Sequence, residues 1–433
     1  MPRKTLVIGV LLMAALCLTS FALAAEEIKI GVLYPLTCGA AAEGKELRDG
    51  AELAAEIINN VKPGLDMTMA KNGGIKSLGG AKIKLIVMDH QGNPQLGADL
   101  AKKLIQDDKV VGLMGAYHSA VTKTVAAVAE RFGVPIINES STSPALTKEG
   151  LKWFWRTTPH DVTFTQDLFV FLKGLTEGKV RGVKAVNKKD LLPVVSACEK
   201  TEWGSNVDLA IREIGKNMGF EPDLSLLYGA KAPDLSSEVQ SLLAPNPGTM
   251  LFAGYGADAI LMIKTLKSMK AKPKVIWGQN AGFESPEFVS TLGDDVVGIL
   301  TRTVFSPRVG EVKKVAAQVN ELYKAKTGRD FSGASARAFT ATQAWAHILE
   351  KAGSTKPTDI QKAANEIKID GAELIVPWSG IKFIASGTDQ GQNELGTGMI
   401  GQYQKGKDGK VSLEIVYPFD LATADMIYPF KGW

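Results

Sequence analysis

The sequence predicts an α/β protein made of two doubly wound lobes, and three observations carry that prediction. Apolar, strand-like runs alternate with helix-patterned segments from residue 28 to residue 132. The alternation stops at Arg156-Thr157-Thr158-Pro159 and restarts near residue 192. At 433 residues the chain is long enough for about two domains, each with its own core.

Taken in order, residues 28–33 read as a strand, 53–58 lie within a helix, 83–88 form a second strand and 96–105 lie within a second helix. Residues 110–114 make a third strand, followed by a helix over 120–132 and a short buried strand at 135–137. This βαβαβ pattern implies a parallel sheet covered by helices. In the second half, 192–197, 224–228, 251–253 and 274–277 read as strands, and 203–218 and 258–269 as helices. The tail departs from the alternation. Residues 304–351 are helical with one charged face, whereas 381–417 is rich in Gly, Gln and Asn with β patterning. There is no internal repeat at solenoid spacing and no low-complexity tract.

Ahead of the first strand, Arg3 and Lys4 precede an uncharged apolar stretch to about Phe21, and Ala22-Leu23-Ala24 forms a small-residue cleavage site. The reading is a signal peptide over 1–24 and an exported, periplasmic mature chain. Leu16 stands before Cys17 where a lipid-attachment box requires a small residue, so lipid anchoring is not expected. No later run reaches the length of about 20 apolar residues that spans a bilayer. Losing Arg3 and Lys4 lowers the formal charge from +4 to +2, too little for a nucleic-acid surface. Cys38 and Cys198 remain; each follows a predicted strand in a different half, so two free thiols are expected rather than a disulfide.

Two polar turns stand out. Ser119 follows the 110–114 strand and opens a helix, and the run Asn138-Glu139-Ser140-Ser141-Thr142-Ser143 leaves the 135–137 strand before Pro144 starts another helical segment. Hydroxyls and unpaired N–H groups at the ends of neighbouring strands suit a small anion such as a carboxylate. Ordinary helix N-caps at Ser119 and Ser143 would use the same residues. Catalytic chemistry has little to stand on. The histidines, His90, His118, His160 and His347, are scattered, HExxH, CxxC, GxSxG and GxxxxGK[ST] patterns are absent, and Gly254-Tyr255-Gly256 is only a fragment of a dinucleotide loop. No metal, no cofactor and no enzyme activity are expected.

These turns, with Asn72-Gly73-Gly74, Asp89-His90-Gln91-Gly92-Asn93-Pro94 and Trp153-Phe154-Trp155-Arg156-Thr157-Thr158-Pro159, resemble the periplasmic leucine/isoleucine/valine-binding family of ABC-importer solute receptors, over nearly the whole mature chain. The resemblance implies a type I periplasmic binding protein with three hinge crossovers, near 157–161, 304–307 and 383–387. One lobe then comprises 25–157 with 306–385, and the other 158–305 with 386–433. It also implies a small-molecule ligand, an amino acid or related carboxylate, held in the cleft and delivered to a membrane permease by a monomer. Ser119, Ser140 and Thr142 match the positions that hold the ligand's α-carboxylate, and Tyr255 and Trp203 match aromatic walls from the second lobe. The acidic partner of the α-ammonium matches Asn280, whose neutral amide cannot neutralise a cation. Glu43, at a position often occupied by an aromatic wall, is the candidate to replace it or to face a basic group of the ligand. A sensory receptor of the same fold that signals to a partner protein is the alternative function.

Overall fold

The computed structural model describes residues 27–433, so the signal segment 1–24 lies outside the described residues. Strands β1 (Glu27–Tyr34), β2 (Lys82–Asp89), β3 (Gly112–Gly115), β4 (Ile136–Asn138) and β5 (Phe154–Arg156) form one sheet in the order β2-β1-β3-β4-β5. All its pairings are parallel. Apart from Glu27 and Lys29, every residue of β1 is buried, which is why its sequence reads as an almost unbroken apolar run.

Helices α1 (Ala41–Asn59), α2 (Pro94–Gln106) and α3 (Ser119–Phe132) connect these strands, and the short α4 (Ala145–Lys148) follows β4. The Asn93 side chain caps α2 by accepting from the backbone N–H of Gln95 and Leu96, with Pro94 at the first helical position. Gly133, at φ 63°, closes α3 in the left-handed conformation that favours glycine.

The second sheet repeats the plan. Helix α5 (Asp161–Thr176) leads into β6 (Val194–Glu199), α6 (Glu202–Met218), β7 (Leu224–Tyr228), α7 (Ser236–Leu243), β8 (Thr249–Ala253), α8 (Gly256–Ser268), β9 (Val275–Gly278), α9 (Pro286–Leu292) and β10 (Leu300–Thr303). The chain then forms α10 (Lys314–Thr327), α11 (Gly333–Ala352), α12 (Pro357–Glu366) and the two-residue strands β11 (Ile369–Asp370) and β12 (Gly380–Ile381). It ends with β13 (Met399–Lys405) and β14 (Val411–Tyr417). The sheet order is β14-β13-β10-β9-β8-β6-β7, with β6 to β10 parallel and the last two strands antiparallel. In each sheet the first strand lies between its two successors, β1 between β2 and β3, β6 between β7 and β8. The chain reverses winding direction at those points, and the crevice outside the strands' carboxyl ends is where such sheets bind ligands. This is an α/β protein of two lobes, as the sequence predicts.

Two features differ from the sequence reading. Helix α11 has no charged face: sixteen of its twenty residues are buried, because it packs between α1 and the first sheet. The approach is close enough that a Cβ on Gly50 would lie 2.2 Å from the Ser335 carbonyl oxygen, and one on Gly112 would lie 2.1 Å from Trp345. The second concerns the last crossover, expected near 383–387. Arg156 N–H donates to the Gly391 carbonyl at 2.8 Å, and Asn393 N–H donates to the Arg156 carbonyl at 2.9 Å. Residues 391–393 thus still extend the first sheet beyond β5, and the chain reaches the second only at β13.

Candidate functional site

At the end of β3 the chain turns through Ala116, Tyr117 and His118 into α3. The N-cap is His118, and no side chain caps this helix. Ser119 is therefore not a cap: its Oγ is buried and has no hydrogen-bond partner. The neighbouring turn after β4 is tied to this one. Thr122 Oγ1 and Ser141 Oγ are 2.6 Å apart, Ser141 Oγ donates to the Tyr117 carbonyl at 2.9 Å, and Asn138 Nδ2 donates to the Gly115 carbonyl at 2.8 Å. Beneath it, the buried Arg156 donates through Nη1 to the carbonyls of Ser141 and Ser143, at 3.2 and 2.7 Å. Ser143 is no cap either; it donates across to Glu202 Oε1 of α6 at 3.2 Å.

The other lobe supplies Trp203 from the first turn of α6, which Thr201 caps by accepting from Gly204 N–H at 3.1 Å, and Tyr255 from the start of α8. The Tyr255 ring centroid lies 5.0 Å from Trp203, 4.8 Å from His118 and 5.9 Å from Tyr117, so aromatic groups of both lobes meet. Behind them lies a small inner cavity lined by Tyr117, Ser119, Ser140, Thr142, Trp203, Tyr255, Asn280, Ala281 and Arg302. Its volume is about 10 Å³, room for roughly one water. A larger cavity of about 190 Å³ lies on the other side of Trp203 and Tyr255, bordered by Cys38, Gln91, His118 and Lys231. The two share Trp203 and Tyr255 in their walls, and the inner one is too small for a solute until those side chains or the lobes move apart.

Six of the seven residues singled out from the sequence, Ser119, Ser140, Thr142, Trp203, Tyr255 and Asn280, line the inner cavity together. Glu43 does not. It sits in the first turn of α1, where a Cβ on Gly256 would be 4.0 Å from its Oε1, and burial pushes its carboxyl up to about 7. The Asn280 side chain lines the cavity but is spent on protein partners. Its amide donates to Glu284 and, at 3.2 Å, to the Arg302 carbonyl, while its oxygen accepts from Arg337 Nη1 at 3.4 Å. Thr142 is engaged as well, donating to Asp161 Oδ2 at 2.9 Å and accepting from Arg302 Nη2 at 3.1 Å.

Sequence reasoning missed Arg302, Tyr117 and Asp161. Arg302 is the third of the four residues of β10, Leu300-Thr301-Arg302-Thr303, and a charge inside a buried strand was the available signal, since buried charges are expensive unless used. Burial pushes its guanidinium down to about 10 against the pull of Asp161, which leaves it a cation at neutral pH. Burial pushes His118 down to about 3, so the imidazole beside Tyr255 is neutral. Among the described residues no group of His, Cys, Asp and Glu has the arrangement of a metal site, and no helix is long and apolar enough to cross a membrane.

Two lobes that bring hydroxyls, aromatic rings and a cation to one cavity define a solute-binding protein. Residues 27–404 match the model of the periplasmic binding protein family, and the chain belongs to that family; it is a substrate-binding protein and not an enzyme. It is similar to the Leu/Ile/Val-binding protein homolog 8 of Brucella suis biovar 1, 27% identical over 431 residues, with 98% of this chain and 99% of the relative covered. Among solved structures it resembles the branched-chain amino acid transporter substrate binding protein LivJ from Streptococcus pneumoniae in complex with isoleucine. The TM-score is 0.71 at 22% identity, covering 91% of this chain and all of that one. A solute binding protein of an ABC transporter from Rhodopseudomonas palustris BisB5, in complex with 3,4-dihydroxybenzoic acid, has the same TM-score at 17% identity, covering 93% and 98%. At these identities the structural likeness shows the type I periplasmic binding fold.

Proposed function

We propose that this protein is an exported periplasmic receptor of an ABC importer. In this reading it closes as a monomer around a small carboxylate-bearing solute, an amino acid or a related acid, and delivers it to the permease. The observation that supports it most is the convergence of Ser119, Ser140 and Thr142 with Trp203 and Tyr255 on one cavity between the two sheets. The first lobe then comprises 25–157 and 306–393, and the second 158–305 and 394–433, the last boundary set by the bonds of residues 391–393 to Arg156. Contacts from both lobes coexist only when the lobes are together, so a ligand shifts the open–closed equilibrium by its differential affinity for the closed form.

The test is thermal unfolding of the mature chain from Ala25, unfolded, stripped and refolded, against amino acids, aromatic acids, short dicarboxylates and amides. A ligand at a thousand times its dissociation constant adds about 4 kcal/mol of stability and a clear rise in Tm. If no carboxylate raises the Tm while an uncharged amide does, the carboxylate reading fails.

A further inference from the structure

The inner cavity holds one charged group with unused bonding capacity, and it is a cation. Arg302 is 2% exposed. Its guanidinium carbon lies 3.9 Å from the centre of the Phe164 ring, and Nη2 is committed to Asp161 Oδ1 at 3.2 Å and Thr142 Oγ1 at 3.1 Å. Nε and Nη1 have no hydrogen-bond partner although both are buried. Burying a charged donor without an acceptor is costly, so such groups persist where something else supplies the acceptor. Next to them the hydroxyls of Ser119 and Tyr117 are also buried without partners.

An ammonium finds no matching partner on that wall. Asp161 is occupied by Arg302, Thr142 and Gln279. Glu284 is occupied by Asn280, Thr303 and the Gly333 N–H, with Arg337 Nη2 at 4.0 Å. The Asn280 amide N–H groups are donors already in use, and its oxygen accepts from Arg337. Glu43 Oε1 and Glu139 Oε2 are unpartnered, but neither residue lines the cavity, and burial pushes each carboxyl up to about 7. A zwitterionic amino acid in this cavity would place its ammonium beside the Arg302 guanidinium, with no carboxylate lining the cavity to offset it.

We propose that Arg302 is the specificity-determining residue of this cleft, taking the carboxylate of a ligand that carries no α-ammonium. This rests on the solute-receptor reading above. It assigns the recognition of the acid to Arg302 together with Ser119 and leaves Asn280 as a support that holds Arg337 and Glu284 in place. An α-amine is then a feature the site rejects.

Matched pairs test this on the refolded wild-type protein by titration calorimetry: L-leucine against 4-methylpentanoate and 4-methyl-2-oxopentanoate, and L-phenylalanine against 3-phenylpropanoate. The expected result is that an amine-free acid binds at least about a hundredfold tighter than its amino acid partner. Arg302→Gln should weaken that acid by about tenfold to a hundredfold, with Arg302→Lys in between because it keeps the charge. An amino acid that binds as tightly as, or tighter than, its amine-free partner overturns the proposal while leaving the solute-receptor reading standing. Failure of every acid and every amino acid to bind overturns both. The wild-type comparison decides the matter even if Arg302→Gln fails to fold.

Discussion

Ser119 and Thr142 line the same cavity, yet their hydroxyls stand in opposite states, and that difference predicts opposite effects of alanine. Ser119 Oγ is buried with no partner. A buried hydroxyl without a hydrogen bond costs about 1–3 kcal/mol, so Ser119→Ala should leave the unliganded protein as stable as before or more stable by up to about 1 kcal/mol. The same change removes a donor to a ligand carboxylate, a bond to a charged acceptor worth about 1.5–3 kcal/mol, or a tenfold to 150-fold weaker Kd. Thr142 Oγ1 already bonds Asp161 and Arg302. Thr142→Ala should therefore lower the stability of the unliganded protein by about 1–3 kcal/mol as well as weaken binding, through Asp161 and Arg302 as much as through the ligand. Urea unfolding of stripped protein and calorimetry with the best acid measure both quantities. If Ser119→Ala lowers unliganded stability by more than 1 kcal/mol and leaves Kd unchanged, the hydroxyl is a structural group and the reasoning is refuted.

Further predictions follow from buried groups. Glu139 is fully buried with Oε2 unpartnered, and burial lifts its carboxyl from the ordinary 4.5 to about 7 against the pull of Tyr34, Arg337 and Ser140. Because the folded state keeps a proton that the unfolded state has lost, stability falls as pH rises from 4.5 to about 7. Glu139→Gln lacks this loss, so its urea midpoint relative to wild type should rise between pH 5 and pH 8, by on the order of 2–3 kcal/mol in stability; an equal difference at both pH values would contradict the assignment. Cys38 and Cys198 are both free, the first beside the larger cavity and the second buried in β6 with its thiol pushed up by burial. Native protein should titrate one slow thiol with an aromatic disulfide reagent and two in urea; two fast thiols in the native state would show the second lobe opening readily.

The strands were legible because a strand covered by helices on both faces must be apolar along its length, as in Glu27–Tyr34 and Thr249–Ala253. The first-lobe half of the cavity was legible in part: hydroxyl-rich turns beside strand ends, at Ser119 and Ser140 to Thr142, suit an anion, although helix caps use the same residue types. Arg302 was not, because a lone charge next to a hinge gives no periodic signal, and its value depends on Asp161 and Thr142, which lie 141 and 160 positions away in the chain. Asn280 was placed at the cavity by its position after a strand, but its engagement with Glu284 and Arg337 depends on α11, a helix whose burial its polar residues conceal. Glu43 was assigned by its place in the loop, and α1 turns it behind Gly256. The last crossover was set too early because Gly, Gln and Asn suggested a linker, whereas Gln392 and Asn393 use their side chains to bond the backbone of Thr157 and Thr158 at the sheet edge.

The most direct test of the central claim is the crystal structure of the complex with whichever carboxylate most raises the Tm. The account predicts density between the carboxyl ends of the two sheets, with a ligand carboxylate oxygen within hydrogen-bond distance of Ser119 Oγ and of an Arg302 nitrogen, and Trp203 and Tyr255 displaced around the rest of the molecule. A ligand bound elsewhere, or one in the cleft with its carboxylate turned away from Arg302 and Ser119, would contradict it.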